Sequence, residues 1–477
     1  MTKNRIFSLL VLIVTVTALI SCNNDDSFFT GANAELTFSQ DTVFFDTVFT
    51  AASPRIPMSV NKQFVVRNPH NKRVKSSLKL MSPKSVFRIN VDGEVGPIVS
   101  DIEIGPNDSI FVFVELSVDP NNEPESLPLI VRDSIEVETN GSIDYVQLIA
   151  WGQDAHYMFR DTVCNVVLSD KMKPYVVYGY LYVPENCTLT IEEGVRMHFA
   201  PQSWLYVEGT LIINGTNEER VLFQGDRLQP EYEEEAGQWG GIWLDYLSSG
   251  NRINYAEIKN GTVGVYCDSS DIQSNPNLLP KVVVRNTEVR NMSFDGLSGK
   301  SVYLQARNSV FSNCGRYTFL GLWGGRYDLK HCNFTTYGFD FSRREPTFVL
   351  NNAKINEFFQ IERVYDIKYD VQNCIIDGAL EEEVSFGLFR SAPVRFEVND
   401  TLFQNNLVRT EWEFGGIHTD NVTSVSPSFI DIRNHDYHIE SNSGAINIGN
   451  TAVGLARDFE NRLRDAKPDA GAFEYLP

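Results

Sequence analysis

The sequence predicts an all-β protein in two parts, an antiparallel β-sandwich followed by a right-handed parallel β-helix. Three observations carry this. Between Leu36 and Ala155, runs such as "VFRINVDG" and "DSIFVFVELSVDP" alternate apolar and polar residues between Asn, Asp, Gly and Pro, the pattern of half-buried strands. Beyond residue 155 the apolar residues come in short runs stopped by Gly, Pro or Asn, which suits strands stacked in parallel. There an Asn-centred motif also recurs: "NYAEIKN", "NTEVRN", "NSVFSN", "HCNFTT", "NNAKIN", "NCIIDG" and "NDTLFQNN".

The chain opens on Lys3 and Arg5, a 15-residue apolar run from Ile6 to Ile20, and then Ser21-Cys22-Asn23-Asn24-Asp25-Asp26. About 20 apolar residues are needed to span a bilayer, so the run is short for a membrane helix and has the outline of a signal peptide over residues 1–21. Leu19-Ile20-Ser21-Cys22 resembles a bacterial lipobox, which implies cleavage before Cys22 and acylation of its thiol. Several acyl chains, at about 0.8 kcal/mol per buried CH₂, anchor a protein where one does not. The acidic tail behind Cys22 is similar to the tether of surface-exported lipoproteins of the Bacteroidetes. Residues 22–35 are accordingly expected to be a tether, on a chain lipid-anchored in the outer membrane and exposed at the cell surface.

Residues 36–155 should hold about seven strands in two packed sheets. "FVVRNP" and "IGPNDSIFVFVELSVDP" resemble the immunoglobulin-like modules of the Hydin and sperm-protein type, which implies an immunoglobulin-like β-sandwich acting as a spacer or docking unit.

Residues 156–477 form the predicted β-helix. The central apolar residues of the motif are Ile258, Val289, Phe311, Phe334, Ile355, Ile375 and Phe403, separated by 31, 22, 23, 21, 20 and 28 positions. A period near 20–25 with longer excursions is a solenoid with loops inserted in some turns. Each coil is expected to point one of these residues inward. Asn at the corners tolerates the left-handed backbone of a sharp turn and can hydrogen-bond to Asn in the next coil. "GQWGGIWLDYLSSGNRINYAEIKNGTVGV" resembles the opening of the regular coils in β-helix lipoproteins of the Bacteroidetes. The tail "SPSFID", "DYHIESNSGAINIGN" and "DAGAFEY" resembles the closing segment of pectate-lyase-like β-helix proteins of that phylum. This resemblance implies an architecture and an address more than an activity.

Composition excludes some partners. Net charge is −21 with no basic block, so nucleic acid is not an expected partner. Of seven cysteines, Cys22 belongs to the lipobox and no CxxC or Cys/His zinc spacing occurs among the rest. Cys164 and Cys187 are 23 residues apart, one coil of the repeat, which places them one above the other and makes them a candidate disulfide in an exported protein.

No catalytic residues can be named from the sequence. Asp295, Asp340 and Asp377 each follow an apolar residue at intervals of 45 and 37, about two coils, and can share a face. Two coils separate side chains by about 10 Å, too far for a retaining glycosidase and just beyond the inverting range. Lys330-His331 and Arg343-Arg344 are the cations nearest to what a polysaccharide lyase needs, but they lie in no lyase motif. The acidic loop "EYEEE" (231–235) lacks the spaced carboxylates of a calcium site. G-x-S-x-G, H-E-x-x-H and P-loop motifs are absent, and no cofactor is implied. This favours a non-catalytic binding or structural surface, with a polysaccharide as the expected ligand and a carbohydrate-active enzyme, lyase or glycosidase, as the alternative. Aromatic faces stack on sugar rings, and Trp323, Trp412 and Trp204 are the candidate glycan-binding residues. Trp239 and Trp243, in "WGGIW", are expected to pack a coil. Six tripeptides, Asp41-Thr42-Val43, Asp46-Thr47-Val48, Asp108-Ser109-Ile110, Asp133-Ser134-Ile135, Asp161-Thr162-Val163 and Asp400-Thr401-Leu402, resemble the O-glycosylation sequon of exported Bacteroidetes proteins.

Overall fold

The computed structural model describes residues 27–31, 34–49, 60–83, 85–116, 129–270, 272, 278–338, 343–389, 401–411, 419–423 and 425–477. Cys22, Asp340, Asp400 and Trp412 lie outside these residues, as do residues 1–21, the expected signal peptide. The chain divides into two compact units after Asp154.

In the first unit two five-stranded sheets face each other. One runs in the order Thr37–Phe38, Val60–Arg67, Ser109–Leu116, Phe87–Val91, Glu94–Gly96. The other runs Thr42–Phe49, Ser142–Gln153, Leu129–Thr139, Val74–Leu80, Ile98–Ile104. Alternation decides what is buried: Ile110, Val112, Val114 and Leu116 point into the core with Phe87, Ile89 and Val91, opposite Val74, Leu78, Val146 and Leu148. Among the described strands pairing is antiparallel apart from Thr42–Phe49, which runs parallel to Ser142–Gln153; an isolated bridge between Phe28 and Arg73 is also parallel. The result is the predicted sandwich.

The second unit is a parallel β-helix, a sheet of 25 described strands in which nearly every strand pairs with its counterpart in the next coil. One coil is Thr188–Glu192, Arg196–Phe199 and Trp204–Val207; the next is Thr210–Asn214, Val221–Gly225 and Gly241–Leu244. A single core runs through the stack, in which Phe311 lies flat on Phe334 with ring centres 5.2 Å apart. Asn260, Asn286, Asn291, Asn308, Asn313 and Asn373 take up the left-handed backbone of the corners. Asn313 Nδ2 donates to Asn291 Oδ1 in the coil before it, at 2.7 Å. Cys164 and Cys187 are joined in a disulfide, with Cα atoms 4.6 Å apart on adjacent coils.

The structure corrects two of the expected inward positions, Ile355 and Ile375, while Phe403 is buried in the core as expected. Ile258, Val289, Phe311 and Phe334 do stack in register, but the column continues through Ile376 and Val408. Ile375 points the opposite way and is buried against Leu407, Ile439, Ala445 and Ala470. Phe403 is buried in a different column, on Val371. Ile355 is 44% exposed, on an antiparallel hairpin that interrupts the coil.

The coil has three outer faces. The C-terminal segment covers the first, where Tyr437, Phe459 and Phe473 pack on Val310, and a hairpin of Phe429–Asp431 and Asp436–Ile439 lies over it. The second is laced with ion pairs, Arg307 with Asp328 and Lys330 with Asp370. The third is the site described next. Among the six Asp-Ser/Thr tripeptides, Thr401 is fully buried and so is closed to modification in the folded chain.

Candidate functional site

The third face is built from Tyr175–Val183, Trp204–Val207, Gly241–Leu244 and Val265–Cys267, stacked in parallel. Along each strand alternate residues go to opposite sides. Leu181, Leu205, Ile242 and Val265 enter the core, which sends Tyr182, Tyr206, Trp243 and Tyr266 out on four successive coils in one register. Tyr180 and Trp204 form a second, shorter row beside them. All six rings are at least partly exposed. Trp204 lies 5.8 Å from Tyr206 and 6.1 Å from Trp243, and Trp243 lies 4.4 Å from Tyr266, centre to centre. The result is an aromatic stripe along the helix axis, with ring contacts running from Trp204 and Tyr206 through Trp243 to Tyr266.

The "WGG" triplet makes room for this stripe. A Cβ on Gly240 would come within 2.1 Å of the Trp204 indole, so only glycine lets that ring lie against the coil. Trp239 is buried as expected, stacked 4.3 Å from Phe199 with its Nε1–H donated to Lys259 O at 2.9 Å. Trp243 is different: it stands on the outside.

Carboxylates border the rings. Glu208 follows Val207 and Asp245 follows Leu244, which are partners in register, so the two occupy equivalent corners of adjacent coils. With Tyr180, Tyr182, Tyr206 and Val207 they line a cavity of about 330 Å³. Tyr182 Oη donates to Glu208 Oε2 at 2.5 Å, and the bond to this carboxylate pushes the phenol up to about 12. Further along, Lys300 pairs with Asp268 at 2.6 Å and sets its ammonium 5.2 Å from the centre of the Trp323 ring. Trp323 is partly exposed and stacks on Tyr365 at 6.1 Å, with Lys354 over it at 5.6 Å. Lys300 also donates a hydrogen bond to the Tyr266 hydroxyl, so Trp204 and Trp323 belong to one run of contacts.

The charged residues weighed for catalysis go elsewhere. Asp377 sits on strand Ile375–Gly378 in line with Thr335 and Ser312, whereas Asp295 is in the turn before strand Leu297–Arg307; they do not share a column. Burial pushes both carboxyls up to about 6, and Asp377 accepts from Tyr337 Oη at 2.5 Å. Lys330 is buried against Asp370, and His331 is buried with its Nε2 2.8 Å from Asn373 Nδ2. Arg343 is buried in an ion pair with Glu383, and Arg344 is exposed. In the acidic loop, Glu234 ties down Arg290 and meets His435 Nε2 at 2.9 Å. Against the opposing effect of its partial burial, His435 and Arg290 hold its carboxyl down at about 2. That loop is a strut between coil and tail. Among the described residues no cluster of His, Cys, Asp and Glu could hold a metal, and no helix is long and apolar enough to cross a membrane.

The signal for the stripe was present as "YLYV" at 180–183 and "WLYV" at 204–207, two copies of one strand at one-coil spacing. Tyrosines in alternating strands pass for ordinary β-formers until the register shows which side they share.

No family model and no curated protein matches this chain. Among solved structures it is similar to the catalytic unit of a GH87 α-1,3-glucanase from Streptomyces thermodiastaticus, at 11% identity over 74% of this chain and 75% of that one, with a TM-score of 0.29. A family 123 glycoside hydrolase from Clostridium perfringens is similar over 25% of this chain and 26% of its own, at 11% identity and a TM-score of 0.18. The PapD-like domain of human CEP192 is similar over 27% of this chain and 92% of its own, at 10% identity and a TM-score of 0.19. At these scores the likenesses carry nothing about activity.

Proposed function

We propose that this chain is a lipoprotein, lipid-anchored through Cys22 in the outer membrane and exposed at the cell surface, whose β-helix binds a polysaccharide along its aromatic face. The stripe Tyr182–Tyr206–Trp243–Tyr266 is the observation that supports this most. Its rings are presented on rigid strands at the roughly 4.8 Å spacing of a parallel sheet, a platform on which an extended sugar chain can stack ring by ring. These aromatics stand outside a well-filled core, on a coil face that the described part of the tail does not cover. Glu208 and Asp245 border the rings, so an uncharged glycan fits better than a uronate polymer, which would bring carboxylate against carboxylate.

Retention on immobilised neutral and acidic polysaccharides tests this. Trp243→Ala and Tyr206→Ala are each expected to weaken retention by about tenfold or more, the effect of removing an aromatic anchor worth over 1 kcal/mol. Folded variants that bind every glycan like the parent would remove the stripe as the binding face.

A hydrolytic reading is favoured by one observation, the equivalent corner positions of Glu208 and Asp245 on adjacent coils beside the same cavity. One coil, about 4.8 Å, is close to the roughly 5–5.5 Å between carboxyls in retaining glycosidases. The same panel decides: new reducing ends that vanish in Glu208→Gln mean chemistry, and retention without turnover means binding. For the anchor, Cys22→Ala is expected to leave an uncleaved precursor that no longer partitions with membranes. Normal maturation and retention of that variant would sink the lipoprotein assignment.

A further inference from the structure

A hairpin interrupts the coil between strands Phe348–Asn351 and Ile367–Gln372, its arms Ala353–Ile355 and Ile361–Val364 pairing antiparallel. Its tip is a built turn. Asn356 Oδ1 accepts from Phe358 N–H at 3.0 Å and from Gln360 N–H at 2.9 Å, and Phe359 N–H donates to Asn356 O at 3.0 Å. Lys354 and Glu362 pair across the arms at 2.7 Å, and Asn352 Nδ2 donates to Tyr365 O at 3.1 Å at the base.

On this frame stand four large apolar side chains. Ile355 and Ile361 are nearly half exposed, Phe358 is 72% exposed and Phe359 91%. Phe359 also has φ +60°, a left-handed backbone that costs a non-glycine residue about 1 kcal/mol and that Asn or Gly would occupy with less strain. Neither burial nor backbone preference accounts for a phenylalanine there.

We propose that the hairpin is a docking plug, with Phe358 and Phe359 entering an apolar cleft on a partner protein whose rim carries Lys or Arg. Protruding aromatics ringed by polar groups have the anatomy of an interface hot spot. At roughly 150–250 Å² each, the two rings supply about half of the roughly 800 Å² that one side of a standard interface buries. Charge selects the partner. Glu357 stands between Asn356 and Phe358 and would be forced into a bilayer with the rings, while Lys354 and Arg363 only balance Glu357 and Glu362, leaving no net positive charge for anionic headgroups. A second copy would bring Glu357 against Glu357 between chains of net charge −21. A basic rim pairs with Glu357 and lies in the attractive field of the whole chain.

The test places a photoreactive benzoylphenylalanine at Phe359 in the full chain, irradiated in the cells that make it. The expected result is one discrete adduct with a second protein, its crosslinked peptide mapping to an apolar cleft bordered by Lys or Arg. That adduct should fall about tenfold with Phe358→Ser and several-fold with Glu357→Lys, while melting and glycan retention stay at the parent's values. Adducts with lipid or only with a second copy, an adduct indifferent to both substitutions, or none at all would overturn the proposal.

Discussion

Phe311→Asp is expected to destabilise the β-helix by more than about 5 kcal/mol. Truncating a buried Phe costs about 3–5 kcal/mol through lost transfer energy and the cavity left behind, and a carboxylate in that cavity adds its own desolvation. Phe311 is fully buried, with Val289 on one side and Phe334 on the other. The backbone groups of its strand are committed to the ladders with Glu288–Met292 and Asn333–Thr336, so they have little to offer a carboxylate. Because each coil of a solenoid rests on its neighbours, the damage falls in the middle of the stack and uncouples the coils on either side. Denaturant and thermal melts measure the loss, and limited proteolysis should cut near residues 288–336. Ile355→Asp is the control: on the exposed hairpin it should shift stability by under about 0.5 kcal/mol. A Phe311→Asp protein melting within a degree or two of the parent would mean that the register is wrong.

The contrast between these two residues shows how far sequence reasoning reaches. The period of the Asn motif gave the architecture because left-handed corners impose the same chemistry on every coil, and Asn260, Asn291 and Asn313 meet that need alike. The same motif misplaced Ile355, because "NNAKIN" at the base of a hairpin reads like a corner and only long-range pairing tells the two apart. In "NCIIDG" two adjacent isoleucines are both buried, Ile376 in the coil and Ile375 under the tail, so hydrophobicity alone cannot choose between them. Phe403 is inward as expected, although on a different face of the coil from Phe311 and Phe334. Trp204 and Trp323 could be singled out one by one as candidates, and both are partly exposed. The stripe could not be singled out, since its members come from strands 23 to 37 residues apart and share a side only once the register is set.

Among the described residues the C-terminal tail and ion pairs decide what covers two of the faces, and neither is revealed by a periodicity. The tail closes one face through Tyr437, Phe459 and Phe473, and alternating charges fill another. One of the buried ion pairs supplies the second large effect. Glu383→Gln is expected to cost about 3–5 kcal/mol, because it leaves the Arg343 guanidinium buried without a counter-charge. Glu383 Oε2 accepts from Arg343 Nη1 at 2.8 Å and from Thr347 N–H at 2.8 Å, and Oε1 accepts from Leu380 N–H at 2.9 Å. Arg343 Nη2 also donates to Thr336 O at 3.0 Å, so the pair binds both ends of the 336–347 excursion to the next coil. Removing the other partner should cost less. In Arg343→Met the Glu383 carboxylate keeps two backbone N–H donors, whereas in Glu383→Gln the guanidinium keeps carbonyls but loses its anion. The double variant should lose clearly less than the sum of the singles, since each single variant carries the cost of a stranded charge that the double does not. Thermal and denaturant melts of the four proteins measure this coupling; strictly additive losses would mean that the two charges do not act as a pair.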